Sequence, residues 1–191
     1  MRLWIVFLVV ALPASHAAGT AESTLRIAAL VDNAAGIPAG TLRSGEFLAS
    51  HLLSRASIRL VWSPSPLDGE EISKFRIHLL GGKPASPMSA DAAGFAILFP
   101  AEGGTDGYAG IFYKRISEIA SQEAVPESVV LGVTLAHEVV HLLLGSGSHN
   151  VVGIMQPRLR RTDWSAAARG ELRFSSGECQ AIAAEVRRRG R

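Results

Sequence analysis

The sequence predicts an α+β domain built on a twisted, mostly parallel sheet of four to five strands. Alternating apolar segments of strand length occupy much of the first 113 residues, and two long segments have helical periodicity. The 191 residues suit a single domain. With 48% hydrophobic and 19% charged residues, the chain can bury a core. We expect two helices packed on the sheet and a small irregular C-terminal part that ends in a helix.

Five segments have the composition and alternation of strands. Turn residues follow several of them, such as Asp32-Asn33 after the first. The five segments are Leu25–Val31, Ile58–Trp62, Phe75–Leu80, Phe95–Phe99 and Ala109–Tyr113. The segment that begins at Gly94 is either an edge strand beside a cleft, able to pair with an extended peptide, or an ordinary strand.

Two long helices are predicted between and after these strands. Thr41–Ala56 carries apolar residues at helical spacing. The second helix is predicted from Pro126, which suits a first helical position, to Leu144, and it stops at Gly145, a residue typical of helix ends. Two shorter helices are predicted, at Trp164–Arg169 and Gly177–Arg189.

Residues 1–17 are predicted to form a secretory signal peptide. Met1 and Arg2 provide a positive start, residues 3–12 are apolar, and the small residues around Ala17 suit a cleavage site. We therefore expect a mature domain, residues 18–191, that is secreted or periplasmic. The alternative is an uncleaved N-terminal anchor, but the apolar run is too short for a stable membrane span. No membrane span is expected after cleavage.

The charge distribution gives little reason to expect a nucleic-acid partner. The net charge is +2, and four arginines form a basic C-terminal tail: Arg187, Arg188, Arg189 and Arg191. Such a tail could contact nucleic acid or acidic lipids. We favour a frayed, solvated helix end, because no basic patch with interleaved aromatics occurs elsewhere. The single cysteine, Cys179, excludes an internal disulfide and is expected to be a small buried residue of the last helix.

Residues 137–141 read His-Glu-Val-Val-His and lie on the predicted helix that ends at Leu144. Two histidines four residues apart share one helix face, with Cβ atoms roughly 5–6 Å apart. Both imidazoles can then bind one Zn²⁺. Glu138, next to the first histidine, can take a proton from an activated water as general base. His137 and His141 are therefore predicted metal ligands.

A catalytic zinc site of this kind needs a third protein ligand. His149 is the best candidate, because the flexible turn that begins at Gly145 lets the chain reverse towards the metal. Three of the six histidines lie within residues 137–149, a clustering that packing does not explain. The alternatives are downstream acidic residues: Asp163, Glu171 and Glu178.

The segment HEVVHLLLGSGSHNVVGIMQP resembles the extended zinc motif of the metzincins, especially their matrixin-like branch, in which HExxHxxGxxH precedes a methionine turn. The resemblance implies a zincin-like α/β domain whose upper part ends near residue 145 and whose lower part is residues 146–191. It also implies three histidine ligands, Glu138 as base and Met155 beneath the metal. The third histidine, His149, falls two places later than in the family pattern, so the intervening loop is longer.

The resemblance and the residues together predict a zinc-dependent endopeptidase that acts on a polypeptide substrate through water activated by the metal and Glu138. One alternative is a non-catalytic zinc- or peptide-binding module on the same kind of fold. The presence of Glu138 argues against it, because metal storage needs no base. A second alternative is a chance HExxH in a buried helix that binds no metal.

Overall fold

The computed structural model describes residues 25–64, 73–84, 89, 91–101, 104–145 and 147–189. The predicted signal peptide, residues 1–17, lies outside the described residues. The described chain is α+β, with a five-stranded sheet and five helices.

The sheet is mostly parallel, as the sequence predicted. Its strands are β1 (Leu25–Asp32), β2 (Ile58–Ser63), β3 (Ser73–Leu80), β4 (Gly94–Ala101) and β5 (Gly104–Phe112). They lie in the order β2-β1-β3-β5-β4. The first four in this order are parallel, and β4 pairs antiparallel with β5. Strand β4 therefore lies at an edge of the described sheet, and its pairing with an extended peptide stays a prediction.

The helices are α1 (Ala39–Ser54), α2 (Tyr113–Glu123), α3 (Glu127–Leu144), α4 (Arg161–Ala168) and α5 (Ser176–Arg189). Helix α3 ends where the sequence predicted and begins one residue later, because Pro126 is its N-cap. The ends of α1, α4 and α5 differ from the prediction by up to three residues. Gly145 follows α3 with a φ of 89°, which favours glycine at this helix end.

Helix α2 contradicts the sequence prediction, which assigned Ala109–Tyr113 to a strand and no helix to the residues that follow. Strand β5 ends at Phe112, and Tyr113 is the first helical residue. No side chain caps this helix start, and no turn residue separates strand from helix. The local signals that mark a boundary are therefore missing. Only Ile116 and Ala120 of α2 are buried, so its apolar stripe is narrow.

Helix α3 lies in the centre of the domain. Thirteen of its eighteen residues are buried, and they join side chains of β3 and β5, such as Ile77 and Ile111, in one core cluster. By length and composition α3 is apolar enough to cross a membrane, but 72% of it is buried within the domain. Burial in the core explains its apolar composition.

The end of α5 differs from the expected frayed tail. The side chain of Arg189 is only 7% exposed and pairs with Glu185 at 2.6 Å. Its Nη2 donates to the carbonyls of Leu142 and Leu143 at 3.3 and 3.4 Å, and its guanidinium lies 5.8 Å from the ring centroid of Phe75. Arg189 therefore satisfies carbonyls in the last turn of α3 that have no partner within the helix.

Candidate metal centre

Helix α3 places the first two histidines of the motif side by side. Their ring centroids lie 4.6 Å apart in an edge-on arrangement, and the two Nε2 atoms are 3.0 Å apart. This proximity follows from the four-residue spacing on a helix. His141 is buried and His137 is partly buried, with neighbouring residues of α3 in the core. The two rings are thus held by the most firmly packed element of the domain.

Backbone carbonyls fix which nitrogen of each ring carries the proton. Nδ1 of His137 lies 2.9 Å from the carbonyl oxygen of Ile154, and Nδ1 of His141 lies 3.1 Å from that of Gly145. A carbonyl only accepts, so in each neutral ring Nδ1 carries the hydrogen and Nε2 carries a lone pair. Two lone pairs then face each other at 3.0 Å with no hydrogen between them. This arrangement is unfavourable unless a cation lies between them, and it therefore suits a metal ion.

Ser148 provides a second acceptor to the ring of His141. Its hydroxyl donates to the carbonyl of Gly145 at 2.8 Å, and its oxygen lies 2.9 Å from Nδ1 of His141. Because the hydroxyl hydrogen is engaged with the carbonyl, the oxygen accepts from Nδ1. The turn after α3 thus holds the ring with the same tautomer that the carbonyl selects.

The third predicted ligand joins the first two. Nε2 of His149 lies 3.1 Å from Nε2 of His141, and the ligand nitrogens of all three residues lie within 4.8 Å of one another. In a tetrahedral zinc site with bonds of about 2.0–2.1 Å, ligand nitrogens are about 3.3 Å apart. The distances from His141 to the other two rings, 3.0 and 3.1 Å, are close to that value, and the three histidines lie close enough together to bind one metal ion.

The three acidic alternatives lie elsewhere in the domain. Asp163 accepts from the backbone N–H of Arg160 at 2.8 Å and caps α4. Glu171 forms an exposed ion pair with Arg169 at 2.7 Å. Glu178 accepts from a backbone N–H at the start of α5. Among the described residues, the group that could hold a metal contains the three histidines and none of these acids.

Burial keeps the imidazoles neutral, as metal ligands must be. It lowers the pKa of His137 to about 4, although the hydrogen bond to Ile154 opposes the shift. Burial also lowers the pKa of His141, and the hydrogen bond to Gly145 opposes it. Near neutral pH these two rings therefore offer lone pairs rather than positive charge.

Glu138 lies beside the first histidine and is only 5% exposed. Burial raises the pKa of its carboxyl to about 8. A nearby divalent cation would oppose this shift by favouring the carboxylate. The side chain lies against the backbone of β4, since a Cβ added at Gly94 would be only 2.8 Å from Oε1 of Glu138. The carboxyl therefore occupies space that only a glycine at this position leaves free.

Met155, the predicted turn methionine, is fully buried in the core. Its carbonyl accepts from the backbone N–H of Asn150 at 2.9 Å. This bond closes the loop between His149 and Met155. Met155 is thus hydrogen-bonded to the residue that directly follows His149. Its role beneath a metal stays a prediction.

An open cleft of about 600 Å³ runs past the three histidines and Glu138. Residues 93–96 of β4 and its approach form one wall, and Gln156–Leu159 form part of another. Helix α2 contributes Arg115, Ile119, Gln122 and Glu123 to the lining. The missed helix α2 therefore belongs to the walls of the candidate site.

Three features that shape this site were not predicted from the sequence: the Ser148 hydroxyl, the Ile154 carbonyl and the space at Gly94 that the Glu138 carboxyl occupies. The serine adjoins a predicted ligand, so position alone could have suggested it. The carbonyl carries no residue-type signal, and Gly94 was noted only as a strand boundary. No protein-family model matches the chain, and neither a curated protein nor a solved structure is significantly similar to it.

Proposed function

We propose that this chain is a zinc-dependent endopeptidase of the metzincin type, exported from the cell, in which His137, His141 and His149 hold the metal. The observation that carries the proposal is the convergence of three imidazoles, two of them fixed with their Nε2 lone pairs facing inward. Buried histidines that only pack or donate hydrogen bonds have no reason to bring unprotonated nitrogens together.

The donor set and its surroundings match a catalytic site better than a closed structural one. Three nitrogen ligands would leave a fourth position open, as in hydrolytic zinc sites. The cleft reaches all three rings, which leaves space beside them for a substrate. Structural zinc sites instead have four protein ligands and no open cleft.

When bound, the metal would supply Lewis acidity that polarises a substrate carbonyl and makes water a better nucleophile. Glu138 lines the same cleft as the three rings, so its carboxylate would accept a proton from the attacking water. The same carboxyl would return the proton to the leaving nitrogen of the peptide bond. Water and one peptide bond thus give a carboxylate and an amine, with no other reactant.

The edge strand supports a polypeptide substrate. Strand β4 pairs only with β5 in the described sheet, which leaves its other edge for an extended peptide. Residues Ala93–Ala96 border the cleft next to Glu138. A peptide added along β4 would therefore pass beside the predicted base.

The first experiment measures bound zinc per chain in wild type and in His149→Ala, Asp163→Ala and Glu171→Ala. We expect loss of metal in His149→Ala alone. Retention of zinc by that variant would show that another residue is the third ligand. A wild-type protein that binds no zinc would leave a chance motif as the explanation.

The second experiment compares peptide cleavage by wild type and Glu138→Gln, purified in parallel and tested on a broad quenched-fluorescence peptide library. We expect both proteins to bind zinc and only wild type to cleave. Equal cleavage by both would exclude Glu138 as the base. A zinc-loaded wild type that cleaves nothing would favour the non-catalytic binding module.

A further inference from the structure

A set of hydrogen bonds ties the start of α5 to the loop that carries His149. The backbone N–H of Ser175 donates to Oε2 of Glu178 at 2.6 Å, and the N–H of Glu178 donates to Oγ of Ser175 at 3.2 Å. This reciprocal pair is a capping box. Together with Asn150 we call these two residues the Ser175 bracket.

Asn150 connects the capping box to the loop. Its Nδ2 donates to Oγ of Ser175 at 3.1 Å, across 25 positions of sequence. Its Oδ1 accepts from the N–H of Val151 at 2.7 Å, and its own N–H donates to the carbonyl of Met155 at 2.9 Å. Three hydrogen bonds thus fix the residue that directly follows His149.

The same region also supports the first ligand. The carbonyl of Arg173, two residues before Ser175, accepts from the N–H of Ile154 at 3.1 Å. The carbonyl of Ile154 in turn holds Nδ1 of His137 at 2.9 Å. Gly153 fits closely here, because a Cβ at this position would lie 2.8 Å from the Arg173 carbonyl oxygen. A short path of contacts therefore leads from the start of α5 to two of the three rings.

The burial of Glu178 indicates more than a helix cap. Its side chain is only 5% exposed, and Oε1 is buried with no hydrogen-bond partner among the described residues. Burying a carboxylate in this way is costly. Asp163 caps α4 with the equivalent bond to Arg160 and stays partly exposed. Capping alone therefore does not require a buried acid.

We propose that Asn150, Ser175 and Glu178 are positioning residues for the metal centre, which hold His149 and the Ile154 carbonyl in place for the ion. The inference rests on the proposed zinc site. Outer partners of metal ligands contribute about 10–100-fold to metal affinity, because they orient the rings before the ion binds.

The test measures zinc affinity of the full chain by competition with a chromophoric chelator at neutral pH. Asn150→Ala removes the link to the loop and leaves the capping box of α5 intact. We expect it to weaken zinc binding by about 10–100-fold. Ser175→Ala should weaken binding to a similar extent, and Ser175→Thr, which keeps the hydroxyl, should restore it.

The double variant Asn150→Ala with Ser175→Ala separates a shared contact from two independent effects. Because both changes break the same hydrogen bond between Asn150 and Ser175, the loss of zinc affinity in the double variant should be smaller than the product of the two single losses. The matched control is Asp163→Ala, which removes the cap of α4 and should leave zinc affinity unchanged. Circular dichroism of each metal-free variant checks that it folds.

Two results have separate meanings. If wild type binds no zinc, the proposed function fails before this inference is reached. If wild type binds zinc and folded Asn150→Ala binds it equally well, the bracket does not position the ligand and the inference is overturned. If Ser175→Ala fails to fold, the zinc affinity of Asn150→Ala alone tests the inference, because this variant keeps the capping box of α5.

Discussion

Helices α1 and α3 pack closely at two glycines, and substituting each of them should affect stability to a different extent. A Cβ at Gly132 of α3 would lie 2.8 Å from the carbonyl oxygen of Gly45 and 2.8 Å from Cβ of Leu48. A Cβ at Gly45 of α1 would meet only the side chain of Leu131, at 2.9 Å from Cδ2. The obstacle is largely backbone in the first case and a movable side chain in the second.

The structure sets the size of each effect. Ordinary contact begins at 3.4 Å, so Gly132→Ala forces the two helices apart by about 0.6 Å. Overpacking of this kind costs about 1–3 kcal/mol, while alanine in place of glycine gains about 1 kcal/mol of helix propensity. The net effect is about 0–2 kcal/mol, and because the contacts at 2.8 Å are with atoms fixed to the backbone, we expect Gly132→Ala to lower the free energy of unfolding towards the upper end of that range. In Gly45→Ala, the buried side chain of Leu131 must shift by a few tenths of an ångström, and the gain in helix propensity offsets this smaller cost, so that stability stays about unchanged.

The assay is urea unfolding of both variants and wild type, followed by circular dichroism. The two variants should differ in midpoint and not in the slope of the transition, because the surface exposed on unfolding is the same. Equal midpoints for the two variants would refute the reasoning, and so would a Gly132→Ala protein more stable than wild type. Either result would mean that the helices can separate at little cost.

Three further outcomes follow from other contacts. Gly94→Ala should lower peptide cleavage by about 10²-fold with zinc still bound, since the new Cβ displaces the carboxyl of Glu138; unchanged cleavage would contradict this. The hydroxyl of Tyr113 donates a hydrogen bond to Glu127 at 2.5 Å. Burial is the larger cause that raises the pKa of the phenol from 10.0 to about 12, and this hydrogen bond is the second. The stabilisation is therefore complete below pH 10 and is lost as pH rises through 12, so the unfolding free energies of wild type and Tyr113→Phe should converge over that range; a constant difference would exclude the phenol as the cause. Arg189→Ala should destabilise the fold by about 1–2 kcal/mol in urea unfolding, and a change below 0.5 kcal/mol would show that this side chain does not stabilise α3.

The proximity of the two histidines on α3 could be predicted because their geometry is local. Four-residue spacing on a helix brings His137 and His141 together whatever the rest of the fold does. The bounds of α3 could also be predicted to within one residue, since Pro126 precedes the helix and Gly145 follows it. The convergence of His149 was predictable from its turn, but only as one option among four residues.

What the sequence could not predict depends on contacts between distant segments. The strand order, which puts β4 at the edge beside Glu138, is set by packing rather than by any residue pattern within β4. The link between Asn150 and Ser175 spans 25 positions and uses two common polar residues. Helix α2 follows β5 without a turn. The change of the hydrophobic pattern from strand to helix periodicity at Tyr113 is therefore its only local signal.

The three proposed ligands differ in how firmly the fold holds them, and this difference bears on how the proposed site would bind an ion. His137 and His141 lie on a buried helix, with each Nδ1 bonded to a backbone carbonyl. The loss of conformational entropy that fixes these two rings therefore occurs during folding and does not reduce the free energy of metal binding. His149 is exposed on a loop, so most of the remaining ordering cost falls on this ring. A longer loop than the metzincin pattern is therefore tolerable only if outside contacts restrain it, and the hydrogen bonds of Asn150 are restraints of that kind.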